Sequence, residues 1–189
     1  MNSMSSTVRA FLSIDIEDKT LLSHISQIQK RLDLQSAKMK IVEIDNIHFT
    51  LRFFGDTPLA KLDQIQNCLQ QIEVTPFEIR IIGVGSFPNR RRPRVIWVGV
   101  TDNSQRIVRL KNEIDEKLSE VGYRPENEKF TPHATIARVR SVINPSQLVH
   151  NLEELSEELV GNMIVSSINM KRSTLTSSGA VYETLWTIE

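Results

Sequence analysis

Along the whole of this 189-residue chain, segments with an apolar residue at every second position alternate with segments where apolar residues recur at every third or fourth. The first spacing is that of a strand with one face on a core and the second that of a helix with one buried stripe, so the fold must mix both elements. Val8 to Ile16 (VRAFLSIDI) reads as a strand, and Leu21, Leu22, Ile25, Ile28 and Leu32 mark a helix running from a cap at or beside Asp18 to Leu34. Ile47 to Gly55 reads as a strand, Leu59 to Ile72 as a helix, and Phe77 to Phe87 with Val95 to Val100 as a strand pair. A helix over Asn103 to Val121 is followed by a loop holding Gly122 and Pro125, then by a strand over His133 to Val139. A helix from Pro145 to about Leu159 and strands over Met163 to Thr174 and Tyr182 to Ile188 complete the chain. Hairpin-like strand neighbours interleaved with helices define an α+β chain of antiparallel sheets backed by helices.

Composition narrows the class further. With 40% hydrophobic and 24% charged residues the chain has enough apolar surface for a core, which excludes disorder for most of its length. Lys plus Arg balances Asp plus Glu at 23 each, so attraction to a polyanion requires a local basic patch. The single cysteine, Cys68, can form neither an intrachain disulfide nor a Cys-rich metal site, which fits a reducing compartment. No run approaches the roughly 18 apolar residues of a membrane helix, and residues 1–7 form a polar leader without the apolar centre of a signal peptide. A cytoplasmic location and a frayed leader are therefore expected, with no linker composition to divide residues 8–189.

Two of the four histidines open nearly the same tetrapeptide, His48-Phe49-Thr50-Leu51 and His133-Ala134-Thr135-Ile136, each within an expected strand. Residues i and i+2 of a strand share a face, so each His stands beside its Thr while Phe49, Leu51, Ala134 and Ile136 turn toward the core. One copy alone is most simply a strand-end histidine satisfied by a hydrogen bond. With 12 Thr in the chain, chance places two copies among four His on the order of twice per thousand sequences, so the pair points to a shared task. Imidazoles ordinarily titrate near pH 6.5, so one can accept a proton while its partner donates one. Set across a phosphorus atom, they suit an in-line displacement in which the base activates water and the acid protonates the departing oxygen. The Thr hydroxyls then donate to nonbridging phosphate oxygens. Such chemistry requires no metal and no cofactor.

These H-x-T-hydrophobic motifs resemble those of the 2H phosphoesterase superfamily. HFTLRFFG and FTPHATIARV, with the opening VRAFLSIDI, the middle RPRVIWVGV and the late KRSTLTSSGAVYETL, resemble the RNA 2',3'-cyclic phosphodiesterases, also called 2'-5' RNA ligases, over Val8 to Leu185. The resemblance implies a two-lobed α+β fold, each lobe an antiparallel β-sheet backed by helices, with a central cleft between the sheets. Residues 8–189 would then be a single domain of two pseudo-symmetric lobes, each supplying one HxT motif. It also implies opening of a 2',3'-cyclic phosphate at an RNA end to a 2'-phosphomonoester and, in some members, a reversible 2'-5' ligation. RNA with such an end is the implied partner; no membrane and no obligate protein partner is required, and a monomer is expected. Carried over by motif, His48 is the proton donor to the leaving 3'-oxygen and His133 the proton acceptor that activates water. Thr50 and Thr135 bind the phosphate, and Arg138, five residues after His133, matches a family arginine that assists there. Strand alternation puts Arg138 on the face opposite His133 unless a bulge intervenes, which leaves a structural salt bridge as its other reading. Phe53-Phe54-Gly55 departs from the commoner phenylalanine-leucine-glycine ending in a way that touches packing only. Sister families use the same tetrapeptides on other cyclic phosphates or on 2'-5' oligoadenylates, and a non-catalytic RNA-binding module is a further alternative.

Arg90, Arg91, Arg92 and Arg94 put four cations in five residues on an expected loop, either gripping RNA phosphates or keeping a hairpin tip soluble. Phe11, Phe49 and Trp97 are more simply core than base-stacking rings. His24 and His150 lack a Thr at i+2 and read as surface residues. The chain has no GxxxxGK[ST], HExxH or GxGxxG, so it lacks the signatures of a nucleoside-triphosphate machine, a zinc peptidase and a dinucleotide oxidoreductase.

Overall fold

The computed structural model describes residues 6–177 and 179–189. Most of the expected polar leader, residues 1–5, lies outside the described residues. The elements run β1 (Thr7–Asp15), α1 (Lys19–Lys30), β2 (Ala37–Ile41), a 3-10 turn (Ile44–Asn46), β3 (His48–Pro58), α2 (Leu59–Leu69) and β4 (Phe77–Phe87). They continue through β5 (Val95–Val100), α3 (Ser104–Ser119), β6 (His133–Val142), α4 (Pro145–Glu154), β7 (Leu159–Val165), β8 (Ile168–Leu175) and β9 (Ala180–Ile188). No helix among the described residues is long and apolar enough to cross a membrane.

Local chemistry explains the boundaries. The Asp18 carboxylate accepts from the backbone N–H of Thr20 and Leu21 and so caps α1. Asn144 caps α4 through Gln147, with Pro145 in the first turn where no amide donor is needed. Three expectations are corrected. α1 stops at Lys30, well short of Leu34, and the chain then forms β2, a short strand whose apolar Ala37, Met39 and Ile41 alternate with Lys38 and Lys40. Leu159 begins a strand where the end of a helix was expected. The single strand expected over Met163 to Thr174 is two, broken at Ser166-Ser167: β7 pairs with β4 while β8 pairs with β1, at opposite ends of the sheet.

Among the described residues the strands join in the order β7-β4-β5-β6-β3-β1-β8-β9, with β2 also on β6, and every pairing is antiparallel. The architecture is α+β and two-lobed, with β4–β7 in one half and β1, β3, β8 and β9 in the other. The halves share one register pair, Phe49↔Ala134. Beyond it β2 takes the place of β3 along the β6 edge, pairing from Ala37↔Val142 to Ile41↔Ala137, so β3 is free to diverge and a cleft opens between the halves. α1 and α4 pack on the β4–β7 half, and α2 packs on β3 and on α3. One continuous apolar core, including Phe49, Leu51, Ala134 and Ile136 at 0 to 1% exposure, fills the helix side and leaves the opposite face to the cleft.

Candidate active site

The two tetrapeptides begin their strands, and they meet at the junction of the halves. An antiparallel pair at Phe49↔Ala134 sets His48 near Thr135 and Thr50 near His133 when the register is extended by one residue each way. The alternating burial of both strands turns Phe49 and Ala134 inward and leaves all four polar side chains on the cleft face. They line a single cleft of about 700 Å³ together with Arg138.

Arg138 reaches this face because β6 carries a bulge. Trp97 pairs with Thr135 and Ile96 with Ala137, so Ile136 is the extra residue and the strand is re-phased after it. β3 contains the same device: Ser13 pairs with Thr50 and Leu12 with Arg52, leaving Leu51 unmatched. Both strands accordingly show the burial order of half-buried, buried, half-buried, buried, buried, exposed from their His onward. Phe53 therefore stands on β3 at the step that Arg138 occupies on β6. It is 49% exposed and also lines the cleft.

Each imidazole is oriented by the carbonyl two residues before it. His48 Nδ1 lies 2.7 Å from the Asn46 oxygen, and His133 Nδ1 lies 2.7 Å from the Thr131 oxygen. A carbonyl can only accept, so Nδ1 carries the proton in both rings and Nε2 is the titrating atom. His48 Nε2 is 2.9 Å from Thr50 Oγ1. Phe11 stacks on the His48 ring at 4.8 Å and Tyr182 meets it edge-on at 5.4 Å. Phe87 stands edge-on to His133 at 4.9 Å, with Trp97 beyond at 6.0 Å.

Burial pushes the His48 pKa below the ordinary imidazole value, opposed by its hydrogen bond to Asn46 and by the Asp15 carboxylate, while Lys171 and Arg138 push it further down. Asp15 is itself held by Lys171 at 2.6 Å, Asn169 at 3.0 Å and Ser13 at 2.6 Å, a polar cluster beside the ring. His133 is also lowered, by burial first, against its bond to Thr131 and with Arg138. An anion bound beside Arg138 would offset that cation and raise both rings.

The loop that delivers His133 is tied down by charge. Lys111, 2% exposed, holds Asp115 at 2.7 Å and Glu126 at 2.8 Å, and Arg52 reaches Asp115 at 3.2 Å and the Arg124 carbonyl at 2.8 Å. Glu126 and Phe130, both on that loop, form part of the cleft wall.

Elsewhere, Phe49 is core and Phe11 lies beneath His48, both buried. His24 donates to the Val160 carbonyl at 2.6 Å, pinning α1 to β7, and His150 faces Glu154 on α4. None of Arg90, Arg91, Arg92 or Arg94 is among the cleft-lining residues; Arg90 turns to Glu153 on α4 at 3.9 Å. Sequence reasoning missed Phe53 and Tyr182 as cleft residues, although both lie within the segments HFTLRFFG and KRSTLTSSGAVYETL that carried the family resemblance. Among the described residues no group of three or more His, Cys, Asp or Glu side chains is placed to hold a metal ion.

Known proteins share this plan. A protein of Methanothermobacter thermautotrophicus named RNA 2',3'-cyclic phosphodiesterase is 42% identical over 177 residues, covering 93% of this chain and 95% of the relative. One of Aeropyrum pernix with the same name is 35% identical, covering 89% of this chain and 96% of the relative. The crystal structure of TT0787 of Thermus thermophilus superposes with a TM-score of 0.77 at 23% identity, over 95% of this chain and 96% of that one, which shows the shared fold. The sequence profile described as LigT like Phosphoesterase matches residues 14–97 and again 98–182, each stretch holding one of the two HxT tetrapeptides. With both stretches matched and near-full-length relatives at this level of identity, the chain belongs to the LigT-like phosphoesterase family.

Proposed function

We propose that this protein hydrolyses the 2',3'-cyclic phosphodiester at an RNA end to a 2'-phosphomonoester, by general acid and base catalysis without a metal. The observation that carries the reading is the meeting of two HxT strand starts at one register pair, with both histidines, both threonines and Arg138 lining one cleft. His133 Nε2 takes a proton from water as the water oxygen attacks phosphorus. The bond from phosphorus to the 3'-oxygen breaks, and His48 Nε2–H delivers its proton to that oxygen. Thr50, Thr135 and Arg138 donate to the nonbridging oxygens, where charge builds in the transition state. The exposed ring of Phe53 offers the base a stacking surface. With a 5'-hydroxyl in place of water, the same groups make a 2'-5' linkage as the bond to the 3'-oxygen breaks, and that step run backwards cleaves the linkage and restores the cyclic phosphate.

The names of the curated relatives support this substrate. The double match to the family profile and the identical bulges after each His support descent from a duplicated unit, with one HxT motif per pseudo-symmetric lobe. We also propose that it acts as a monomer, since both histidines, both threonines and Arg138 line one cleft of the chain. In the test, an oligoribonucleotide ending in a 2',3'-cyclic phosphate is incubated with excess EDTA. The expected product is a 2'-phosphate, formed at an undiminished rate, and His48→Ala or His133→Ala is expected to lower turnover about a hundredfold or more. A 3'-phosphate product, loss of activity with chelator, or near-normal rates in both variants would overturn the assignment.

A further inference from the structure

The cleft continues past the reacting groups. Phe11 stacks on His48 at 4.8 Å and on Phe53 at 5.6 Å, and the Arg9 guanidinium lies over the Phe53 ring at 5.4 Å. Beyond Arg9 a second depression of about 610 Å³ opens, whose lining includes Ser6, Asp56, Arg172 and Thr174. Arg9, Ser173 and Leu175 line both spaces, so the depression adjoins the cleft along these residues. Of its two arginines, Arg172 is engaged by Glu183 at 3.2 Å. Arg9 makes no ion pair among the described residues, although Asp56, its cross-strand neighbour, lines the second depression.

The structure of ribose gives the cleft a direction, on the reading proposed above. The cyclic phosphate spans C2' and C3', while the base at C1' and the chain leaving through C4' both lie on the far side of the ring. With phosphorus at the imidazoles and the base on Phe53, the RNA chain therefore leaves on the Phe53 side, where Arg9 stands. We infer that Arg9, with the Ser173 hydroxyl beside it, binds the internucleotide phosphate immediately 5' to the terminal nucleotide, so that the cleft selects RNA ends over mononucleoside cyclic phosphates. A guanidinium suits this role because it donates in a fork to phosphate oxygens and stays charged at all working pH values.

Three substrates isolate the contact: adenosine 2',3'-cyclic phosphate with a 5'-hydroxyl, the same compound with a 5'-phosphate, and the dinucleotide ApA ending in a 2',3'-cyclic phosphate. For the unmodified protein, kcat/KM is expected to rise by about tenfold or more from the first to the dinucleotide, the scale of one charge-assisted contact. Arg9→Met keeps the apolar stem against Phe53 and should remove most of that preference, while Arg9→Lys keeps part of it. Asp56→Asn should move the preference the other way, which separates the contact from simple misfolding. The salt dependence of kcat/KM on the dinucleotide should flatten in Arg9→Met by about 0.7 in log–log slope. Equal loss on all three substrates would reduce Arg9 to packing for Phe53 and overturn the inference, as would absence of a dinucleotide preference in the unmodified protein. Failure of that protein to turn over any of the three would instead overturn the cyclic phosphodiesterase reading itself.

Discussion

Arg138 acts on both imidazoles at once, since its charge lowers His48 and His133 alike. Removing that charge should let both rings hold protons to higher pH. In Arg138→Gln the imidazole resonances of His48 and His133, followed by NMR without ligand, are expected to titrate at higher pH than in the unmodified protein. If neither moves, Arg138 does not face the rings as described. The same residue shows where sequence reasoning stopped. Its number placed it five residues from His133, but simple alternation turned it away, and only the unpaired Ile136 brought it round. A bulge is a pairing event with a neighbouring strand, here β5, and the local sequence carries no residue that demands it. Lys111 is a second case. It occupies an ordinary helical position in α3, yet it is buried between Asp115 and Glu126. Lys111→Met leaves both carboxylates short of a partner and is expected to cost about 3 kcal/mol in urea unfolding, with part recovered in Lys111→Met/Asp115→Leu. A loss within experimental error would show that the network contributes little.

At the scale of elements, the strands that carry the histidines need flat neighbours. Trp97 on β5 lies across Gly85 and Gly99, and a Cβ on Gly85 would stand 2.1 Å from its ring. Gly85→Ala must displace the indole that flanks His133, at about 2 kcal/mol in stability, the usual range for overpacking a filled site, and with a fall in kcat/KM. An unchanged urea midpoint would contradict this packing. Elements whose periodicity is long and regular were legible in advance: β1, β3, β4, β5 and α3 fall where their spacing put them. β2 was not, because five residues with two lysines give a weak period-two signal, and its partner on β6 lies far along the chain. The split between β7 and β8 escaped for a related reason. Ser166-Ser167 is a modest break in composition, and its effect, sending two strands to opposite ends of the sheet, is topological.

For the molecule as a whole, the two histidines couple stability to pH. Both are lowered in the folded state, so on acidification the unfolded chain binds protons that the folded chain refuses. Their contribution is fully present above the ordinary unfolded value of about 6.5 and is lost as pH falls through the lowered folded values. The urea midpoint should therefore drop between about pH 7 and pH 5, and the drop should be smaller in His48→Asn/His133→Asn; an identical drop would assign the acid sensitivity to other groups. The sequence by itself determined the mixture of elements, the inward and outward faces of the two strand starts His48 to Leu51 and His133 to Ile136, and the repeated pairing of His with Thr. These are properties of spacing within a few residues, where backbone period alone sets direction. The tertiary structure decided that the pairs meet, through Phe49↔Ala134, that Arg138 and Phe53 turn into the same cleft, and that none of Arg90, Arg91, Arg92 or Arg94 is among the residues lining it. Those facts depend on which distant strands hydrogen-bond and at what register, a choice made by burial of the whole core and invisible in any short stretch of chain.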